Sequence, residues 1–311
     1  MHGDEYADEQ FKEEDETQSL AGVHWLKGIS FDEVELGEQL SGGGVGLIHC
    51  GKYQGKRVAI KTLFDRRVEE TQKREFQDEV LVLSQLRHPN IVHFFGACLD
   101  PPHLFFVMEL CQGSLFDLLH HCRRSIGFRE QIRMALDVSR AMVYLHSRSP
   151  PIVHRDLKSL NLLLLAGKDG PVKICDFGLV RRTTNKSAGT PCVMAPELLL
   201  ERPFNKSVDV YSFGILLWEI ITREVPFKGL EASDIVDAVI SGGRPTAPGG
   251  DWPSGIEQLL SRCWNEDPSQ RPTFDELEGL LEDMLQQSRT ATTEFKEMEN
   301  AGDCLDDLLR K

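Results

Sequence analysis

With 311 residues, of which 27% are charged and 41% hydrophobic, the chain has the composition of a globular protein long enough to bury a large core. Its net charge of −14 argues against nucleic acid or an anionic membrane surface as a principal partner. No apolar run approaches the ~20 residues that span a bilayer, and the acidic start Met1-His2-Gly3-Asp4-Glu5 is unlike a secretory signal, so a cytoplasmic location with access to the nucleus is expected. The eight cysteines are scattered without a Cys-x-x-Cys pair, which points to reduced thiols rather than a zinc site or a disulfide framework.

Residues 1–24 read as an acidic leader: the first twenty positions carry eight carboxylates against a lone lysine. So little apolar surface is available there that disorder is expected. From Phe31 the pattern turns to strands, Val34-Glu35-Leu36 leading through Ser41-Gly42-Gly43-Gly44-Val45-Gly46 into Leu47–Cys50, a Gln54-Gly55-Lys56 turn and Arg57-Val58-Ala59-Ile60-Lys61. Glycine lets backbone N–H groups approach an anion without a Cβ in the way, so the 42–46 run is a candidate phosphate cradle. Two rival phosphate motifs fail. Gly46 to Lys52 matches most of a P-loop, but Tyr53 follows where a Ser or Thr must bind magnesium. No complete Gly-x-Gly-x-x-Gly precedes a helix as a dinucleotide fold requires. A flap between two antiparallel strands fits best.

A helix is predicted next, with Phe76, Glu79, Val80 and Leu83 on one face. Glu79 on that inward stripe needs a cation, and Lys61 at the end of a strand is its natural partner. Ile91–Phe95 and Leu104–Met108 are predicted as two more strands. Beyond Gly113 the pattern is helical, with a stripe of Ile132, Ala135, Val138, Met142 and Leu145. The segment 208–221 is apolar nearly all round, as in a helix buried in a large core. Between these helices, 153–178 reads as a β-hairpin turning at Gly167–Gly170. Pairing of its strands would bring Asn161 and Asp176 to the same end, with Asp156 close by, where a divalent cation could be held and a proton accepted. A β-rich half followed by a helix-rich half predicts two lobes with a cleft between them.

Gly43 and Gly46 with Ile48, Val58-Ala59-Ile60-Lys61, Glu79, His154-Arg155-Asp156 with Asn161, Asp176-Phe177-Gly178 and Ala195-Pro196-Glu197 resemble, in the same order, the protein kinase signature set. Gly113-Ser114-Leu115, Lys158-Ser159, Asp209 to Gly214, and Cys263-Trp264 through Arg271-Pro272 resemble the tyrosine-kinase-like group, relatives of the Raf and mixed-lineage kinases. The resemblance implies an α+β, bilobal kinase fold over residues 25–285. Its small antiparallel β lobe with one main helix (25–110) would be joined by a hinge (109–113) to a larger helical lobe (114–285). Residues 286–311 would form a tail of loosely helical spacing that packs on its own domain or docks on a partner.

The same resemblance implies an ATP-dependent kinase using Mg2+, or Mn2+ in its place, and acting on protein substrates under an upstream activating kinase. Lys61, oriented by Glu79, would hold the α- and β-phosphates, and Asn161 and Asp176 would bind the metal. Asp156 would accept the substrate proton, with Lys158 near the γ-phosphate. The nucleotide would lie under Ser41, Gly42, Gly43, Gly44, Val45 and Gly46, against Ile48, Ala59 and Leu163, with Met108 as gatekeeper and the backbone of Glu109 and Cys111 facing adenine. Lys158 with Thr190 resembles the serine/threonine pattern, dual specificity being the other possibility. Phosphorylation at Thr183, Thr184 or Ser187 would raise activity through Arg155, and Glu197 with Arg271 would form a buried structural ion pair. Ser41 stands where a glycine is usual and Val193 where an aromatic residue is usual, and the 176–197 segment looks short. These departures leave a kinase-shaped scaffold that binds nucleotide or partners without turnover as the alternative.

Overall fold

The computed structural model describes residues 27–42, 46–63, 70–100, 102–166, 170–180, 189–246 and 255–288. The acidic leader, Gly43 to Val45, the hairpin turn at 167–169, Thr183, Thr184, Ser187 and the tail beyond 288 lie outside them. The first half of the chain forms strands β1 (Val34–Gly42), β2 (Leu47–Tyr53), β3 (Lys56–Leu63), β4 (Phe94–Cys98) and β5 (Leu104–Glu109). They pair antiparallel in the order β1-β2-β3-β5-β4. Gln54 and Gly55, both at positive φ (49° and 74°), make the two-residue turn whose twist suits a β-hairpin. The P-loop alternative is thereby excluded structurally: Gly51 and Lys52 lie within β2, paired with Val58 and Arg57.

Helix α1 (Glu70–Gln85) buries the predicted stripe of Phe76, Glu79, Val80 and Leu83 against this sheet. One strand prediction needs correction, because β4 begins at Phe94 rather than at Ile91. Ile91 instead bridges to Ile174, some eighty residues on. Val92 donates to the Ile174 carbonyl at 2.9 Å, Ile174 to Asn90 at 2.8 Å, and the Asn90 amide to Val172 at 3.0 Å. Pairing with the second lobe has taken these residues away from the sheet, and the strap ties the two halves together.

That second lobe is helical: α2 (Phe128–His146), α3 (Pro196–Leu199), α4 (Ser207–Thr222), α5 (Ala232–Ile240), α6 (Ile256–Cys263) and α7 over 274–288. The predicted α2 stripe is wholly buried, and every residue of α4 from Val208 to Ile220 is buried. A small sheet of β6 (Gly113–Ser114), β7 (Leu162–Leu164) and β8 (Val172–Ile174) faces the first lobe. One hydrophobic cluster runs from α1 and β3 through β7 and β8 to α2, α4 and α7. Burying apolar surface at roughly 25 cal/mol per Å2, this shared core holds the cleft between the lobes in place.

Candidate active site

The hairpin forms as the sequence suggests, with β7 and β8 antiparallel and Leu162 opposite Ile174. Cys175 donates its N–H to the Asn161 carbonyl at 2.9 Å, so Asn161 and Asp176 emerge at the same end. Asp156 is gripped from both sides. Its Oδ2 accepts Lys158 Nζ at 2.6 Å and Asn161 Nδ2 at 3.0 Å, while the same Asn161 amide also reaches the Asp156 carbonyl at 2.9 Å. Lys158 Nζ lies 2.6 Å from Thr190 Oγ1 as well, which brings the chain just before Ala195-Pro196-Glu197 onto the carboxylate. Burial pushes the Asp156 carboxyl up, but the charge and hydrogen bond of Lys158 more than offset this and hold it below the usual carboxylate range.

Two oxygens at this end are left for a ligand. Asp156 Oδ1 is buried and makes no hydrogen bond among the described residues. A buried polar atom without a partner costs ~1–3 kcal/mol, so a bound group that fills it recovers that cost. Asp176 is exposed, at φ 63°, and its carboxylate accepts only the Gly178 N–H, at 3.2 Å, among described residues. Arg155, at φ 68°, is a second strained residue beside it. Its N–H donates to Asp209 Oδ1 at 2.8 Å, its guanidinium to the Leu179 carbonyl at 3.3 Å, and it stacks over Phe204.

Across the cleft Lys61 on β3 donates to Glu79 of α1 at 2.6 Å. Burial pulls the Lys61 ammonium down, yet Glu79 and Asp176 together raise it above its ordinary value. Glu79 is itself raised by burial against the pull of Lys61. A 2.6 Å contact to an ammonium is a contact of the carboxylate, so we read the pair as ionised. The pull of Asp176 on Lys61 joins the hairpin to the small lobe electrostatically.

Around this charge the walls are apolar. Ala59 pairs with Met108 across β3 and β5, both buried, and Ile48 pairs with Lys61. Ser41 and Gly42 pair with Ile48 and Leu47, which places the small residue at 41 inside the β1–β2 ladder. Gly46, just before β2, has φ +105°, and a Cβ there would stand 2.6 Å from the Thr62 carbonyl, so no other residue fits. Leu163 lies on β7, opposite Ser114 and Lys173. After β5 the chain crosses between lobes, and the Cys111 N–H and carbonyl make no backbone hydrogen bond among the described residues. These are groups that a planar heterocycle could use. The sequence left unremarked how Glu109 is fixed. Its side chain takes the His93 N–H at 2.6 Å and Lys173 of β8 at 2.7 Å, contacts no local pattern could show.

Burial raises the thiols of Cys175, next to Asp176, and Cys111, the latter to about 12, so neither is a reactive thiolate. Val193 does not face the cleft. It packs with Met194, Leu198, Tyr211 and Ile215, and its carbonyl accepts the Ser212 hydroxyl at 2.7 Å.

Residues 34–281 match the family of protein tyrosine and serine/threonine kinases. The chain belongs to the protein kinase family. It is 40% identical over 267 residues to the serine/threonine-protein kinase CTR1 of Arabidopsis thaliana, covering 83% of this chain and 32% of that protein. To the probable serine/threonine-protein kinase SIS8 of the same plant it is 41% identical over 261 residues, 81% of this chain and 25% of that one. To the probable serine/threonine-protein kinase drkB of Dictyostelium discoideum it is 38% identical over 262 residues, 82% and 38% respectively. The chain thus spans between a quarter and two fifths of the length of these relatives. The bilobal kinase fold and the order of its signature residues are those the sequence implied. Among the described residues no helix is long and apolar enough to cross a membrane.

Proposed function

We propose that this kinase domain transfers the γ-phosphoryl group of ATP to serine and threonine hydroxyls of protein substrates. The observation that carries the reading is the double grip of Lys158 on Asp156 and Thr190, beside a buried Asp156 Oδ1 that makes no hydrogen bond among the described residues. A substrate hydroxyl donating to Oδ1 would be oriented for in-line attack, and Asp156, kept ionised by Lys158, takes its proton as the new O–P bond forms and the bond to ADP breaks. Lys158 offsets charge on the transferring group, and Lys61, held by Glu79, pairs with the α- and β-phosphates. The Oδ1 of Asn161, whose amide nitrogen is committed to Asp156, and the Asp176 carboxylate suit a hard cation such as Mg2+. The bound metal supplies neutralisation of phosphate charge. Ile48, Ala59, Leu163 and Met108 would enclose adenine, and the backbone of Glu109 and Cys111 would read its edge.

Transfer of labelled γ-phosphate to a peptide library, followed by phospho-amino-acid analysis, tests this directly. Phosphoserine and phosphothreonine are expected, with Asp156→Asn lowering kcat by ~100-fold or more while nucleotide binding survives. Nucleotide binding without any transfer by the unmutated protein would establish the scaffold reading instead, and phosphotyrosine would establish dual specificity. Control by an upstream kinase is part of the proposal. Arg155, whose guanidinium donates to the Leu179 carbonyl a few residues before Thr183, Thr184 and Ser187 in sequence, is the cation that a phosphate on this segment would recruit. Alanine at all three is expected to lower turnover, and unchanged turnover rejects the idea.

A further inference from the structure

Helix α4 presents two buried carboxylates to the loop that carries Asp156. Asp209, near its start, accepts the N–H groups of His154 and Arg155 at 2.9 and 2.8 Å. Glu219, ~15 Å further along the helix axis at 1.5 Å per residue, reaches the other end of the same loop. The Ser159 hydroxyl donates to Glu219 Oε1 at 2.7 Å, and His120 Nε2 stands 2.8 Å from that same oxygen. Ser159 and Glu219 are each 3% exposed. Burial pushes the Glu219 carboxyl up, and its hydrogen bonds to Ser159 and His120 draw it back.

The place of Ser159 gives this cluster its meaning. It lies between Lys158 and Asn161, the two residues whose side chains grip the Asp156 carboxylate, and it opens the short helical turn Ser159–Asn161. Its bond to Glu219 therefore fixes the segment that aims both grips. His120 belongs to the Asp117–His121 turn that follows the crossing between lobes. That turn is itself clamped to the end of α4, because the Arg223 guanidinium donates to the carbonyls of Leu119, Cys122 and Arg124 at 3.1, 2.8 and 2.8 Å. A buried carboxylate held by two partners on two separate elements has one orientation, and a serine bonded to it inherits that orientation.

We infer that Ser159, Glu219 and His120 are positioning residues for phosphoryl transfer: together they set the loop 158–161 and, through Lys158 and Asn161, the direction of the Asp156 carboxylate. The inference rests on the proposed role of Asp156 as the acceptor of the substrate proton. Positioning acts on the chemical step, since an error of ~1 Å in a reacting group can cost ~100-fold in rate, while nucleotide contacts made by Lys61 and the crossing segment are untouched.

Steady-state kinetics and thermal midpoints of Ser159→Ala, His120→Ala, His120→Gln and the double variant Ser159→Ala/His120→Ala test it. The single alanine variants are expected to lower kcat ~10- to 100-fold, with KM for ATP within about twofold of the unmutated value. His120→Gln, whose amide N–H can replace Nε2, is expected to recover most of the lost kcat. The double variant should cost no more than the worse single one, because both partners act through Glu219. Retention of full kcat by Ser159→Ala overturns the inference. So does a fall in kcat that merely follows the fall in midpoint, with no recovery in His120→Gln. Asp156→Asn separates this from the reading on which it rests: full activity in that variant rejects the role of Asp156, whereas its loss alongside an unaffected Ser159→Ala rejects only the positioning cluster.

Discussion

Asp156 works through its neighbours. Lys158 holds its carboxyl below the usual range against the upward push of burial, and the same ammonium ties it to Thr190 at 2.6 Å. The carboxylate proposed as the base therefore stays ionised to a lower pH than it would in that buried position without the lysine. Lys158→Met removes the largest of the influences that offset burial, so the carboxyl rises. The acid limb of the kcat/KM profile, which reports the free enzyme, is expected to move to higher pH in that variant. Its position, and not the lower plateau, is the readout, and an unmoved limb would mean that another group sets it. Lys61 shows the same balance with opposite sign, its ammonium raised by Glu79 and Asp176 despite burial, so it stays charged across the neutral range.

Helices carry the site because their buried faces are specific in shape as well as in polarity. On α4, a Cβ built at Gly214 would stand 2.8 Å from the Cys263 Cβ of α6. A Cβ cannot rotate aside as the end of a long side chain can, so overpacking at ~1–3 kcal/mol outweighs the ~1 kcal/mol of helix propensity that alanine offers over glycine. Gly214→Ala is expected to lower the thermal midpoint and Gly214→Val to lower it further; an unchanged midpoint in both would mean that α4 and α6 are not in close contact. The Glu197–Arg271 pair joins α3 to the chain before α7, with the Arg271 side chain fully buried and bidentate to the carboxylate. Glu197→Ala strands that charge, a loss of ~3–5 kcal/mol and of about 6–20 °C in midpoint, measured by calorimetry. The α1 stripe, the α2 stripe and the all-apolar α4 were legible in the sequence because each is a local periodicity. Glu79 could be read as the partner of Lys61 for the same reason, since a carboxylate on an apolar stripe needs a cation. Ile91 and Val92 read as strand residues, and strand-like pairing is what they do, but with β8, some eighty residues further along the chain, a partner that no local pattern encodes. Glu219 was invisible for a related reason. Within an apolar helix a lone glutamate has no readable partner until the fold brings His120 and Ser159 to it.

The two lobes meet along a seam that belongs to both. The strap from Asn90 and Val92 to β8, the Glu109–Lys173 pair and a core cluster continuous from α1 to α4 make the cleft part of one cooperative structure rather than a gap between two. Groups proposed to hold the nucleotide lie on both sides of it, Lys61 and Ile48 of the small lobe on one, Asn161 and Asp176 on the other. A ligand that touches both sides binds only the folded arrangement, so it stabilises by RT ln(1 + [L]/Kd), about 2.7 kcal/mol at one hundred times Kd. For a domain of this size that is a rise of roughly 5–10 °C, expected as a shift of a single transition. A nonhydrolysable ATP analogue with Mg2+ should produce it, and omission of the metal should reduce it. Asp176→Asn keeps the shape of the side chain but removes the charge, so the metal-dependent part of the rise should vanish while the metal-independent part, carried by Lys61 and the apolar walls, remains. A full metal-dependent rise in Asp176→Asn would place the cation on other ligands, and two separated transitions in the unmutated protein would show that the seam does not couple the lobes.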